Sequence, residues 1–134
     1  MRKILIVYDG TTQSQKALEK GLENAKKDDV IIILHVVASA EDYEFSQIPP
    51  EVTISQSQRM MSELTSKLIK EGWNAIGVVR SGNVVDEILK IGSEMECDLI
   101  VIGDRGISKV SRFAVGKIAE LVAKRSPRPV LVVR

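Results

Sequence analysis

The stretch "DLIVIGDRGISKVSRFAVGK", from Asp98 to Lys117, decides the fold. Its apolar run "LIVI" ends at Gly103, and a basic segment with two more glycines follows. A continuous apolar run with β-branched residues is typical of a strand buried on both faces of a parallel sheet. A glycine at the end of such a strand lets the backbone turn sharply and approach a ligand. The stretch therefore predicts a buried strand followed by a candidate binding loop.

Four further apolar runs repeat this pattern along the chain. They are "KILIVY", "DDVIIILHVV", "AIGVVR" and "RPVLVVR", and segments with helical periodicity or helix signals separate them. Strands joined by helical crossovers pair in parallel, with helices on both faces of the sheet. The sequence predicts an α/β fold with an open, doubly wound, five-stranded parallel sheet. Ligands of such sheets bind beyond the carboxyl ends of the strands, where the strand order reverses.

Local signals predict where three of these segments begin and end. Thr12 and Gln15 have the spacing of a capping box, which predicts that Thr12 caps the first helix. Residues 38–50 have no period and end in two prolines, so we predict a loop there, with the second helix starting near Ser55. Gly116 is predicted to come just before the last helix, whose free N–H groups would attract phosphate.

Composition limits the class of protein. The chain has 134 residues, 44% of them hydrophobic and 28% charged, which predicts one soluble globular domain over residues 1–134. No run approaches the ~20 apolar residues of a membrane span, and a signal peptide is not apparent, so we expect a cytoplasmic protein without membrane contact. The single cysteine, Cys97, excludes an internal disulfide and is predicted to be structural.

Charge is unevenly distributed. The net charge of +1 argues against nucleic acid as a partner, but residues 103–134 hold eight basic residues and only two acidic ones. A basic segment on an acidic body suggests a local anion site, and a solvated helix face explains it equally well. The sequence contains neither the dinucleotide-binding nor the P-loop glycine pattern. On the residues alone, phosphate binding and a turn glycine in a basic loop remain equal alternatives.

Candidate catalytic groups are few. No carboxylate pair, metal-ligand cluster or nucleophile with its base can be assembled from the motifs, so neither catalytic nor metal-binding residues are assigned. His35, the only histidine, is predicted to be a satisfied strand residue and not a base. Asp9 follows the first strand and is predicted to contact a ligand, with capping of the first helix as the alternative.

The glycine spacing of Gly103, Gly106 and Gly116, with two and then nine residues between them, resembles the nucleotide-binding signature of the universal stress protein family. The stretches "KILIVYDGT", "LHVV", "GNVVDEIL", "CDLIVIGDRG" and "RSPRPVLVVR" are similar to other parts of that family. The resemblance spans nearly the whole chain and is most specific from Cys97 to Arg134.

The resemblance implies a Rossmann-like sheet in the order 3-2-1-4-5, a homodimer paired through the fifth strand (residues 129–133), and binding of ATP, or of AMP or ADP. Asp9 would contact the nucleoside end, and the backbone near Val36 would bind the adenine edge. Gly103, Arg105 and Gly106 would wrap the ribose and phosphates, and Gly116 with Lys117 would hold the outer phosphates. The candidate binding set is Val7, Tyr8, Asp9, Val36, Ile102, Gly103, Arg105, Gly106, Gly116, Lys117 and Ile118.

Lys117 departs from the family pattern, which has Ser or Thr at this position. A protonated lysine can bind phosphate as a point charge but cannot ligate a metal, which argues against dependence on Mg²⁺ and against hydrolysis. Three functions follow: an ATP-binding regulatory module of the stress response, a nucleotide-independent dimeric adaptor whose site Lys117 closes, and a slow ATPase. The glycine spacing favours the first, which would act on a protein partner that the sequence does not identify.

Overall fold

The computed structural model describes residues 1–38, 50–104 and 114–134. Strands and helices alternate along the chain in these residues. The strands are β1 (Lys3–Val7), β2 (Val30–Ala38), β3 (Asn74–Gly82), β4 (Leu99–Gly103) and β5 (Val130–Val133). The helices are α1 (Thr12–Glu23), α2 (Pro50–Lys70), α3 (Val84–Glu94) and α4 (Ala114–Arg125).

The five strands form one parallel sheet in the order β3-β2-β1-β4-β5, which confirms the predicted architecture. β1 lies at the centre, between β2 and β4. The chain moves from β1 to β2 on one side through α1, and it crosses from β3 to β4 on the other side through α3, so the strand order reverses between β1 and β4. The carboxyl ends of these two strands therefore form the edge where ligands of this architecture bind.

Two layers of apolar side chains cover the sheet. The α1–α2 core joins one face to α1 and α2 through residues such as Ile6, Ile33 and Met61. The α3–α4 core joins the other face to α3 and α4 through residues such as Leu5, Ile88 and Val122. Cys97 is buried in the α3–α4 core, and burial raises the pKa of its thiol, which confirms the prediction of a structural cysteine.

Three predicted helix starts are wrong. Thr11, and not Thr12, caps α1, because Thr11 Oγ1 accepts the amide of Ser14. α2 begins at Pro50, where a proline suits the first turn because its missing N–H leaves no bond unmade. α4 begins at Ala114, so Gly116 lies inside its first turn and not before it. The predicted loop at 38–50 is bounded by β2, which includes Ala38, and by Pro50, and its residues 39–49 lie outside the described ranges.

Asp29 fastens the turn between α1 and β2 to the start of the chain. It is buried, and its carboxylate accepts the amides of Arg2 at 2.8 Å and Lys26 at 2.9 Å. The hydrogen bond from Lys26, then that from Arg2, lowers the pKa of Asp29 below its usual value despite desolvation. The ionised carboxylate therefore stabilises the fold.

We expect this carboxylate to make the protein acid-sensitive. A depressed native pKa adds stability above the unfolded-state pKa of about 3.9, and that stability is lost as the pH falls through the native pKa. Asp29→Asn should lower stability at neutral pH and flatten the loss of stability below about pH 4, measured by urea unfolding across pH. Asp28→Asn makes the same change at the exposed neighbouring carboxylate and is the control for the loss of one charge. An Asp29→Asn profile that is parallel to that of the wild type contradicts this assignment.

Candidate nucleotide-binding site

The turn that follows β1 holds Asp9 at the carboxyl edge of the sheet. Asp9 Oδ1 accepts two hydrogen bonds from Thr11, one from the amide at 3.0 Å and one from Oγ1 at 2.6 Å. The Asp9 amide in turn donates to Ser14 Oγ at 3.3 Å. Gly10 completes the turn with φ +84°, a left-handed conformation that favours glycine. The turn therefore fixes the carboxylate in place through one oxygen and leaves Oδ2 outside these bonds.

The alternative that Asp9 caps α1 is wrong, because Thr11 is the cap, and ligand contact by Asp9 stays a prediction. Asp9 Oδ1 stabilises the entry to α1 by binding Thr11, whose hydroxyl accepts the Ser14 amide as the helix cap. Its carboxylate is only partly buried, and it lies at the end of the central strand. Asp9 thus supports the capping residue through Oδ1, and this leaves Oδ2 for the predicted contact with a ligand.

Val7, Tyr8 and Val36 lie at the same edge. Val7 pairs with Leu34, and the Tyr8 amide donates to the Leu34 carbonyl at 2.8 Å. β2 continues beyond this point, so Val36 projects past the end of β1. The Tyr8 hydroxyl donates to Gln15 Oε1 at 3.1 Å, and desolvation, with the Asp9 charge as a second cause, raises the pKa of Tyr8.

Ile102 and Gly103 lie at the end of β4, across from the β1 turn at the switch point, which is the place between β1 and β4 where the strand order reverses. Ile102 is fully buried, and Gly103 pairs with Val133 of β5. Asp104 follows, and its Oδ2 lies 3.9 Å from Arg134 Nε. Arg105 and Gly106, two of the predicted binding residues, lie outside the described residues.

The amino end of α4 supplies unpaired backbone amides. α4 runs back from the carboxyl edge, because only residues 126–129 separate its end from β5, which is parallel to β4. The first amides of a helix have no partner within it. In α1 and α3 the fourth helical residue already donates to the carbonyl just before the helix, so at α4 the free amides of the helix are those of residues 114–116. Gly116 and Lys117 are therefore in the turn whose amides and dipole favour an anion. Ile118 is half-buried and packs against the α3–α4 core.

Sequence reasoning missed the residues that hold Asp9. Thr11 and Ser14 follow Asp9 by two and five positions, and Ser14 is buried with its hydroxyl donating to the Thr11 carbonyl at 3.0 Å. The sequence signal for this network is the pair of hydroxyl residues, Thr11 and Ser14, that closely follow Asp9 and Gly10. His35 is a satisfied residue, as predicted, because its Nδ1 lies 2.9 Å from the Tyr8 carbonyl.

The sequence profile of the universal stress protein family matches residues 1–134. The chain belongs to the universal stress protein family. Universal stress protein YxiE of Bacillus subtilis is 28% identical over 146 residues, an alignment that covers 98% of each chain. The two proteins are therefore similar over their full lengths.

Solved structures have the same fold. The protein MJ0577 superposes with a TM-score of 0.80 at 26% identity, covering 98% of this chain and 94% of that one. A universal stress protein from Archaeoglobus fulgidus in complex with dAMP superposes with a TM-score of 0.74 at 20% identity, covering 100% of this chain and 98% of that one. In the part of this chain that the structure describes, every helix is too short or too polar to cross a membrane.

Proposed function

We propose that this universal stress protein binds ATP, or the related AMP or ADP, at the switch point between β1 and β4. The observation that carries the proposal is the turn at Asp9. Its carboxylate is anchored through Oδ1 at the end of the central strand, which leaves Oδ2 to accept a hydrogen bond from a nucleoside hydroxyl. The dAMP complex of the similar Archaeoglobus fulgidus protein supports an adenine nucleotide as the ligand.

The positions of the strand ends and of α4 support the remaining contacts of the described residues, and those of Arg105 and Gly106 rest on the family resemblance. The Val36 backbone would bind the adenine edge, because β2 extends past β1 at that point. Gly103, with Arg105 and Gly106, would surround the ribose and the inner phosphates. Gly116 would bind the outer phosphates through its free amide in the first turn of α4, and Lys117 would bind them through the charge of its side chain. We expect no requirement for a metal, because Lys117 brings its own positive charge to the first turn of α4.

We also propose that the protein acts as a homodimer paired through β5, with the nucleotide altering the surface that a partner protein of the stress response contacts. β5 is an edge strand of the sheet. The Ile100 amide donates to the Pro129 carbonyl and the Asp104 amide to the Val133 carbonyl, so residues 129, 131 and 133 face β4. By alternation, the backbone groups of Val130 and Val132 face outward and would pair with a second copy.

Calorimetric titration of nucleotide-free protein with ATP tests the binding proposal. Asp9→Asn keeps an oxygen for Thr11 but replaces the second carboxylate oxygen with a donor, so ATP affinity should fall about ten- to hundredfold with little change in thermal stability. Asp28→Asn is the matched control, because the same change is made on an exposed aspartate at the opposite edge of the sheet. Equal affinities of the wild type and Asp9→Asn would contradict the assigned site.

The same titration distinguishes the alternative function. If the wild type does not bind ATP and Lys117→Ser does, the lysine closes the site and the protein is a nucleotide-independent adaptor. If neither protein binds, the nucleotide proposal is wrong. Binding by the wild type that is insensitive to added Mg²⁺ supports a site in which Lys117 replaces a metal-binding hydroxyl.

A further inference from the structure

The hydrogen-bond ladder between β1 and β2 ends in an unusual way at Tyr8. In a continued parallel ladder the Tyr8 amide would donate to Leu34, and the Tyr8 carbonyl would accept from the Val36 amide. The first bond is present at 2.8 Å. The acceptor of the second bond is instead engaged by a side chain, because His35 Nδ1 lies 2.9 Å from the Tyr8 carbonyl. The paired residues of the ladder stop at Val7 and Leu34.

The imidazole therefore engages the carbonyl that a continued ladder would pair with the Val36 amide, and the bond from that amide is not formed. Val36 and Leu34 are two residues apart on β2, so their backbone groups face the same side, toward β1. Since β1 ends before Val36, that side is the crevice at the carboxyl edge. The arrangement directs the Val36 amide into this crevice as a donor for a ligand.

We infer that His35 is a positioning residue of the nucleotide site, which frees the Val36 amide and fixes the turn that carries Asp9. This inference rests on the proposed binding of an adenine nucleotide. His35 does not itself need to touch the ligand. Its effect passes through the Tyr8 carbonyl, which belongs to the same peptide group as the Asp9 amide. That amide donates to Ser14 Oγ, so both ends of the peptide group are held by hydrogen bonds.

The protonation state of His35 suits this role. Desolvation lowers the pKa of His35, although the hydrogen bond to Tyr8 and the charge of Asp9 oppose that effect. The ring is therefore neutral near pH 7. Because a carbonyl can only accept, Nδ1 carries the proton and donates to Tyr8, and Nε2 is the unprotonated nitrogen. The hydrogen bond from His35 Nδ1 to the Tyr8 carbonyl therefore keeps the same donor and acceptor near pH 7.

Two substitutions separate positioning from general stability. His35→Ala removes the donor, and the Tyr8 carbonyl is then available to the Val36 amide. His35→Asn keeps an N–H close to the position of Nδ1 and should restore the wild-type arrangement. The first readout, which needs no ligand, is hydrogen exchange of the Val36 amide followed by NMR. Exchange should slow about tenfold in His35→Ala and return to the wild-type rate in His35→Asn.

The second readout compares ATP with inorganic tripolyphosphate by calorimetry. His35→Ala should weaken ATP binding about tenfold and leave tripolyphosphate binding unchanged, because the effect is confined to the nucleoside end. His35→Asn should bind ATP within about threefold of the wild type. Equal weakening of both ligands would indicate only a structural role and overturn the inference.

The two readouts also separate this inference from the proposed function. Val36 exchange that is the same in the wild type and His35→Ala overturns the positioning role, whatever the titration shows. Slower exchange in His35→Ala, with no binding of ATP by the wild type, establishes the effect on the Val36 amide but shows that it does not serve a nucleotide. Only slower exchange together with selective loss of ATP supports the whole inference.

Discussion

If the protein forms the proposed dimer, Val132→Pro is expected to convert it into a monomer. The Val132 amide faces outward from the edge of the sheet, so proline removes a donor to a second copy without removing a bond to β4. The ring of proline also blocks close approach of another strand. Sedimentation should show a dimer for the wild type and a monomer for the variant, and circular dichroism should show that the variant is folded.

The control for this experiment is Val132→Ala, which keeps the amide and shortens the side chain. Val130 and Val132 both pack against the α3–α4 core, so a charged substitution such as lysine would disturb folding as well as assembly. Val132→Ala should therefore remain a dimer with somewhat lower stability. A wild-type monomer, or a Val132→Pro variant that remains a dimer, contradicts pairing through β5 and directs attention to another surface.

The sequence contained most of the fold. Five apolar runs predict the five strands because a parallel strand covered on both faces must be apolar at nearly every position, which leaves little ambiguity. The run "LIVI" before Gly103 became β4 with the expected end. The ligand edge followed from the alternation of strands and helices alone, and Val7, Asp9, Val36 and Gly103 all lie there.

Helix starts were less predictable, because neighbouring residues could serve equally well. Thr11 and Thr12 are both able to cap a helix, and the choice depends on Asp9 and Ser14, which bond specifically to Thr11. Two consecutive prolines predict a loop at Pro50, although a proline also suits the first turn of a helix, where α2 begins. Sequence rules describe which residues can take a position, and the local network decides which one does.

Long-range contacts could not be predicted from the sequence. The bond between His35 and Tyr8 joins residues 27 positions apart and depends on the register that pairs Val7 with Leu34. The role of Gly21 similarly depends on how closely α1 lies on the sheet. From the sequence, a glycine inside a helix predicts only a loss of helix propensity. The side chain that leaves room only for glycine at position 21 is Ile6, which lies on β1.

Gly21 and Ile6 provide the sharpest test of the packing between α1 and β1. A Cβ at Gly21 would lie 2.6 Å from Ile6 Cδ1, closer than real carbon contacts. Ile6 is fully buried, so its side chain can give way only by shifting within the core. Gly21→Ala should therefore lower the free energy of unfolding by about 1 kcal/mol, because the overpacking outweighs the gain of about 1 kcal/mol in helix propensity.

The sign of this effect should reverse when Ile6 is shortened. Ile6→Ala alone should cost about 3 kcal/mol through the cavity that it leaves beneath α1. In that background Gly21→Ala places a methyl group in the cavity and should raise stability by about 1 kcal/mol, since propensity and packing then act together. Urea unfolding of the four proteins in this cycle measures the reversal.

Gly92 supplies the matched control, because it is also a helical glycine that faces the sheet. A Cβ at Gly92 would lie 3.2 Å from Ile100 Cδ1, on the opposite face of the sheet from Ile6. Gly92→Ala should therefore change stability by the same amount with Ile6 or with Ala at position 6. The free energies of unfolding of Gly21→Ala and Ile6→Ala could instead add, as is expected for Gly92→Ala and Ile6→Ala. In that case the contact between Gly21 and Ile6 would not hold α1 against β1. A reversal only at Gly21 would establish that the missing side chain sets the distance between α1 and the central strand, and hence the position of the turn that carries Asp9.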